Sequence, residues 1–394
     1  MNHSISDYQW LVGPAAGSLL SELANSDGDP LADAARLRKT LTAARVHLLL
    51  EQAALRRRAR RKFAAAERMF FTPVGLEQAT DEIVAAYKAG RFAAEQIVWD
   101  LCCGIGGDLL ALARRGPAAG VDRDAVTAIF AEANCRDLAA EIRYSVAVQT
   151  GDIANVELSQ SMAWHLDPDR RSLGRRTTRV EQYEPGLPII ERLLVRGGAA
   201  AIKLAPAAAP PASWQAEAEL EWISRDGECR QLVGWFGRVA HAPGRRRATI
   251  VGDGEFRSLT GDADAALPVA RQIGRYLAEP DAAVLAAGLT GVLAAEHGLA
   301  ALAHGAVYLT GDRATPDAAL RWFEVTDLAP FDLKRFKTLL RERGIGRLEV
   351  KKRGVDLDPA RLARQLRVPG DRAATLLLAR MGENVMGILA QRVT

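Results

Sequence analysis

The segment Ile97-Val98-Trp99-Asp100-Leu101-Cys102-Cys103-Gly104-Ile105-Gly106-Gly107-Asp108 carries an apolar run into an acid and then into closely spaced glycines. Glycine admits positive φ and lets a ligand approach the backbone, and a helix that opens there offers free N–H groups. That chemistry suits an anionic or zwitterionic cofactor. The dinucleotide pattern G-x-G-x-x-G is not met, because Gly104-Ile105-Gly106-Gly107-Asp108 stands in its place. Two further acids follow apolar runs. Asp122 closes Ala118 to Val121, where a carboxylate can accept both hydrogen bonds of a ribose diol. Asp152, in Thr150-Gly151-Asp152-Ile153, follows a third run and could receive the amino group of a base.

Three basic regions add a second kind of chemistry. Arg170, Arg171, Arg175, Arg176 and Arg179 follow the run that ends at Leu166, and guanidinium groups placed there suit phosphate oxygens; the alternative is internal ion pairing, for example with Asp167 or Glu191. Arg56, Arg57, Arg58, Arg60, Arg61 and Lys62 fall within seven positions. At about 100° per residue they surround a helix, and they serve either phosphate or a solvated surface. A third set, Lys334 to Arg353, is interspersed with Glu342 and Glu349. The pair Thr72-Pro73 reads as a helix N-cap with proline at the first helical position, or as a hydroxyl and free N–H groups for a ligand carboxylate.

The elements that must position these residues follow from pattern. A chain of 394 residues, 48% apolar and 25% charged, is a folded protein of two or three domains. Leu31 to about Met69 reads as one or two helices and Leu76 to Phe92 as another. Strands are expected at 97–101, 118–121, 144–149, 162–166 and 199–204, with helices at 106–115, 125–140 and 188–195 between them, which is the signature of a parallel sheet. An antiparallel set (220–223, 229–236, 247–251) closes that sheet. Residues 267–302 read as mainly helical, broken at Pro280, and 322–379 as a compact α/β unit. The expected organisation is 1–92 helical and basic, 93–265 α/β, and 266–394 a helical linker with an α/β domain. No run approaches the length of a membrane span and no signal-peptide pattern opens the chain, so cytoplasmic residence is expected. The four cysteines and six histidines lack ligand spacing, so no metal is expected.

Taken together, Phe71-Thr72-Pro73-Val74-Gly75-Leu76-Glu77-Gln78-Ala79-Thr80, the glycine turn, Asp167-Pro168-Asp169-Arg170-Arg171, Ile202-Lys203-Leu204-Ala205-Pro206, Glu279-Pro280-Asp281 and Val350-Lys351-Lys352-Arg353-Gly354-Val355 resemble the class I methyltransferases that carry a C-terminal THUMP-like domain. The resemblance implies an α/β fold: a Rossmann-like sheet of seven strands with an N-terminal helical domain and a C-terminal THUMP-like α/β domain. It implies S-adenosylmethionine as cofactor, held by Thr72, Pro73, Gln78, Asp100, Cys102, Gly104, Gly106, Gly107, Asp122, Arg123 and Asp152, with Asp100 on the methionine amine. In enzymes that methylate amino or ring nitrogens, the place of Asp167-Pro168 holds the target N–H and aims its lone pair at the methyl. The second proline and the aromatic of that pattern are absent here, so either a flipped base stacks elsewhere, on Phe70, Phe71 or Trp164, or the base is not flipped at all. The expectation is therefore transfer to a nitrogen of an RNA base in tRNA or rRNA, with Asp167 and Pro168 at the acceptor and Arg57, Arg61, Phe71, Arg170, Arg171, Lys352 and Arg353 on the substrate. The rivals are a small-molecule or protein methyltransferase and a non-catalytic RNA-binding factor.

Overall fold

The computed structural model describes residues 3–25, 29–142, 144–159, 162–172, 175–196, 198–305 and 307–393. They form two compact units, Met1–Leu220 with Gln231–Gly244 and Glu221–Arg230 with Arg245–Thr394.

The first unit opens with four helices, α1 (Ile5–Leu11), α2 (Pro14–Ala24), α3 (Pro30–Leu37) and α4 (Ala43–Ala59). Ser4, Asp29 and Thr42 cap α1, α3 and α4 with their side chains, and Leu11, Leu20, Leu23, Leu37, Leu48 and Leu49 fill the interior. The expected helix over 76–92 is instead two, α5 (Pro73–Gln78) and α6 (Glu82–Ala89). The break falls at Ala79–Asp81 because Thr72 and Asp81 each cap a helix of their own, accepting from Gly75 N and Val84 N.

Five parallel strands follow, β1 (Val98–Leu101), β2 (Ala118–Asp122), β3 (Ala147–Thr150), β4 (Ala163–Leu166) and, after the two-residue hairpin arms β5 (Arg171–Ser172) and β6 (Arg175–Arg176), β7 (Ala199–Leu204). Helices α7 (Gly107–Arg115), α8 (Ala125–Asp137) and α9 (Leu187–Arg196) lie between them in sequence, and α10 (Ala212–Glu217) follows β7. The strand order is β7-β4-β1-β2-β3, with β4 and β7 buried at every residue. Strands β8 (Glu219–Arg225) and β9 (Glu228–Gly237) each cross the division between units, and residues 232–237 of β9 run antiparallel to β7. Because every crossover from one parallel strand to the next returns in the same direction, the carboxyl ends of β1 to β4 share one edge. Asp100, Asp122, Asp152 and Asp167 are thereby gathered there.

The second unit contains the hairpin β10 (Arg246–Val251) and β11 (Phe256–Gly261) and a seven-stranded sheet. Its strands are β12 (Tyr276–Pro280), β13 (Ala300–Ala301), β14 (Leu309–Gly311), β15 (Leu320–Pro330), β16 (Ile345–Arg353), β17 (Arg372–Met381) and β18 (Asn384–Arg392), in the order β13-β14-β12-β15-β18-β17-β16. The stretch 267–302 is therefore not mainly helical. Residues 276–280 are a strand paired with β14 and β15, and only α11 (Ala282–Ala287) and α12 (Thr290–His297) are helices. Helices α13 (Leu333–Glu342) and α14 (Pro359–Leu366) share a core with β16, β17 and β18 through Phe336, Leu340, Leu362, Leu366, Leu376 and Leu389. No helix among the described residues is long and apolar enough to cross a membrane.

Candidate active site

A cleft of about 640 Å3 opens at the carboxyl edge of the parallel sheet. Its wall includes Thr72, Pro73 and Gln78 of the α5 region, Asp100 of β1, Cys102, Gly104 and Gly107 of the glycine turn, Asp122 at the end of β2 and Arg123 after it, Asp152, and Asp167, Pro168 and Arg170 beyond β4. The structure thus brings the sequence-expected cofactor residues together, with one exception. Gly106 does not line the cleft: at φ 86° it is the N-cap of α7, and a Cβ there would lie 3.4 Å from Ala131 of α8. Its glycine serves the turn and the packing of α7 on α8.

The acids differ in their partners. Asp122 Oδ2 accepts from Gly104 N at 2.8 Å and Oδ1 from Asp124 N at 2.9 Å, so it shapes the turn while a lone pair on each oxygen remains for a diol. Burial pushes its carboxyl up against those two hydrogen bonds. Asp152 Oδ1 accepts from Ala154 N at 2.8 Å. Asp100 is 1% exposed, and its Oδ1 receives His165 Nδ1 at 2.7 Å. Its Oδ2 is buried with no partner among the described residues. An orphaned carboxylate oxygen on a residue that lines the cleft fits a ligand ammonium, which is what the methionine end of S-adenosylmethionine offers.

Helix α5 is held by residues far from it in sequence. Lys62 Nζ donates to the carbonyls of Leu76, Glu77 and Ala79 at 2.8, 3.0 and 2.7 Å, and Lys203 Nζ reaches that of Gln78 at 3.3 Å. Two ammonium groups thereby satisfy the helix's C-terminal carbonyls. At its other end Thr72 Oγ1 accepts from Gly75 N at 2.9 Å, so the N-cap and the cleft-lining roles coincide. The preceding Phe70 is pinned by Asn134 of α8, which bonds both its N–H and its carbonyl and also the carbonyl of Ile105 in the glycine turn.

Beyond β4, Asp167 Oδ2 pairs with Lys203 Nζ at 2.5 Å, and Gln78 Nε2 donates to Asp169 Oδ1 at 3.2 Å. Lys203, Lys88 and His165 are site residues that sequence reasoning did not single out. The quoted run Ile202-Lys203-Leu204-Ala205-Pro206 contained one of them without revealing its partner.

Several substrate expectations need correction. Phe71 is fully buried, its N–H and carbonyl bonded to the amide of Gln52, and Phe70 and Trp164 are also buried, so none of the three is available to stack a base. Tyr8 of α1 is the aromatic among the residues lining the cleft. Arg56 is buried too; it donates to Met69 O at 2.8 Å, and desolvation pushes its guanidinium down to about 10. Arg57 and Arg61 remain exposed but outside the cleft, and Arg60 pairs with Glu67 at 2.6 Å. Arg170 lines the cleft, whereas Arg171 pairs with Glu77 at 3.1 Å. The side chain of Arg176 lies outside the described residues. In the second unit a separate cleft of about 540 Å3 is lined by Arg321, Lys351, Arg353 and Arg392 together with Glu279. Glu279 holds Lys351 at 2.5 Å and Arg353 at 3.3 Å, and Lys352 is not part of that lining. Burial pushes the thiols of Cys102 and Cys103 up and that of Cys135 up to about 12, which makes them small packing groups rather than nucleophiles. Among the described residues no group of three or more His, Cys, Asp or Glu could hold a metal ion.

Comparison with known proteins gives these features a context. A THUMP domain-like family matches residues 320–392, and a domain family of unknown function matches residues 4–59. A curated but uncharacterized S-adenosylmethionine-dependent methyltransferase of Mycobacterium tuberculosis, in strains CDC 1551 and H37Rv, is 35% identical over 344 residues. The match covers 85% of this chain and 92% of that protein. The crystal structure of a candidate methyltransferase from Porphyromonas gingivalis W83 shares the fold, with a TM-score of 0.77 at 19% identity over 99% of this chain and 98% of the other. With the glycine turn, the orphaned carboxylate and a close relative along most of its length, the chain belongs to the class I S-adenosylmethionine-dependent methyltransferases that carry a C-terminal THUMP-like domain.

Proposed function

We propose that this protein transfers a methyl group from S-adenosylmethionine to a nitrogen of an RNA base, in tRNA or rRNA. The observation that carries the reading is the acceptor corner: Asp167, tied by one oxygen to Lys203, lies beside Pro168 and Arg170 on the wall of the cofactor cleft.

Asp100, Asp122, Asp152, the glycine turn and Thr72-Pro73 bind the cofactor, which supplies an electrophilic sulfonium methyl. Asp167 accepts the target N–H through the oxygen that Lys203 leaves free, and the carbonyl of Pro168 accepts a second. Holding the nitrogen in this way fixes the direction of its lone pair, and proximity and alignment supply much of the rate without a strong base. Arg170, on the same wall, would take a phosphate of the same nucleotide. Arg57 and Arg61, in the basic N-terminal helices, and Lys352 and Arg353, in the THUMP-like domain, carry the remainder of the RNA at a distance from the reacting atoms. On this reading residues 1–92 hold RNA and complete the cofactor cleft, 93–265 carry transfer and 266–394 track RNA.

The test is methyl transfer from labelled S-adenosylmethionine to total RNA of a strain lacking this gene and of its parent. Label entering only the deletion strain's RNA supports the proposal and allows the nucleotide to be mapped. No label in either, with cofactor binding measured, would refute it in favour of a small-molecule or protein acceptor or of a non-catalytic RNA-binding factor.

A further inference from the structure

Beneath the cleft runs a chain of buried polar groups. His165 of β4, the register partner of Asp100, bonds Asp100 Oδ1 through Nδ1 at 2.7 Å. Its Nε2 lies 3.1 Å from Lys88 Nζ of α6. Lys88 pairs with Asp108 Oδ1 of α7 at 2.7 Å, and Asp108 Oδ2 accepts from Thr80 Oγ1 at 2.8 Å. The side chains of Lys88, Asp100 and His165 are at most 2% exposed and that of Asp108 9%. An ammonium can only donate, so Nε2 accepts, and Nδ1 carries the hydrogen given to Asp100.

The charges of this cluster do not balance. Asp100 and Asp108 bring two negative charges against the one positive charge of Lys88, while the neighbouring Lys203 and Asp167 cancel each other. A buried carboxylate left in surplus is costly, and Asp100 Oδ2 is the atom left without a partner among the described residues. A cation delivered to that atom closes the count.

We propose that His165, held by Lys88, is the positioning residue that keeps Asp100 hydrogen-bonded with Oδ2 free for the cofactor, and that the cofactor's α-ammonium enters as the fourth charge of this buried cluster, displacing a proton as it binds. Burial pushes the Asp100 carboxyl up; His165 and Lys88 oppose the shift and Asp108 adds to it. From the other elements packed around it, Asp100 meets the thiols of Cys103 and Cys135, whose burial keeps them protonated. Apart from Lys88 and His165, then, its surroundings favour a proton on Asp100 until a ligand cation replaces it. The inference rests on the cofactor assignment and not on RNA as the acceptor.

The experiment compares S-adenosylhomocysteine with 5′-methylthioadenosine, which keeps the adenosine and thioether but has no amino-acid part. Each is titrated calorimetrically into the full chain, in buffers of different ionisation enthalpy, from about pH 5 to about pH 8. S-adenosylhomocysteine is expected to release up to about one proton and to weaken by up to about tenfold per pH unit on the acid side, while methylthioadenosine releases none and stays flat. His165→Leu is expected to weaken S-adenosylhomocysteine by about 30-fold and methylthioadenosine by no more than about threefold. His165→Asn, whose amide can donate in place of Nδ1, restores most of the loss. Equal weakening of both ligands in His165→Leu, or no proton release in the unaltered protein, overturns the proposal. If His165→Leu does not fold, the two-ligand comparison in the unaltered protein decides alone. None of these readings involves an acceptor, so failure of the RNA assignment leaves them unchanged.

Discussion

Replacing Lys88 by Met removes the ammonium that lies 2.7 Å from Asp108 Oδ1 and leaves a carboxylate whose side chain is 9% exposed. Breaking a buried pair from one side costs about 3–5 kcal/mol. The hydrogen bond from Thr80 survives and Lys203 still attracts Asp108, which places Lys88→Met near the lower end, about 3 kcal/mol. Asp108→Asn strands the ammonium instead and costs a similar amount. In the double variant Lys88→Met/Asp108→Asn neither member of this pair is left charged without the other. Desolvation, which already pushes the Lys88 ammonium down, no longer has a charge to act on. The double variant is therefore expected within about 1–2 kcal/mol of the unaltered protein, a coupling of about 4 kcal/mol. For a unit of this size each kcal/mol moves the melting temperature by about 2–4 °C, so each single variant should melt about 6–12 °C lower. A pH series adds a sign. Burial opposes the charge on Asp108, but Lys88, with Lys203 adding to its attraction, more than offsets it and holds the carboxyl below its usual value. Its contribution is thus present above that usual value and is lost as pH falls through the lowered one. Lys88→Met lacks the contribution, so its deficit should shrink on acidification. Additive single and double variants, or a deficit that grows in acid, would refute the reasoning.

Three further outcomes are expected. Asp167→Ala should lower methyl transfer by about 100-fold or more while leaving the affinity for S-adenosylhomocysteine within about threefold; equal loss of both would show that Asp167 is not an acceptor residue. In Gly75→Ala the new Cβ would lie 2.6 Å from Ile105 Cγ2 and 2.7 Å from Thr72 Oγ1, so α5 must shift. A strain of about 1–3 kcal/mol should appear as roughly tenfold weaker cofactor binding, and unchanged affinity would mean that α5 is not part of the cofactor wall. If Arg57 and Arg61 each neutralise one phosphate, replacing both by Ala should reduce the salt slope of RNA binding by about 1.4 to 1.8, depending on whether the RNA is single- or double-stranded, whereas a merely solvated surface would leave the slope unchanged.

The strand, glycine turn and helix around Asp100 are legible because an apolar run bounded by an acid and glycines admits few other readings. Strand β12 is not legible. Leu277-Ala278-Glu279 are good helix formers in an alanine-rich stretch, and only pairing with β14 and β15 makes them extended. The helix break at Ala79–Asp81 had a visible cause, since Asp81 ahead of an apolar run is an N-cap signal. In the site, acids after strands can be read from position alone. The Lys88–His165–Asp100 link cannot, because it depends on strand register and on where α6 brings Lys88 against β4. The aromatic expectation failed for a general reason: Phe70, Phe71 and Trp164 stand near the site in sequence, but large rings next to a core fill it first.

The clamping of α5 between Lys62 and Lys203 bears on how this enzyme can be divided. A fragment begun at residue 93 retains all five parallel strands and every acid of the site, and would look complete by its sheet. It would have lost Thr72, Pro73 and Gln78 from the cleft, Lys88 from beneath it, and Lys62 from the far end of the wall. The seam between helical segment and catalytic sheet therefore runs through the cofactor cleft, and an insertion, a protease cut or a domain exchange at that seam would disarm the enzyme while leaving its fold recognisable.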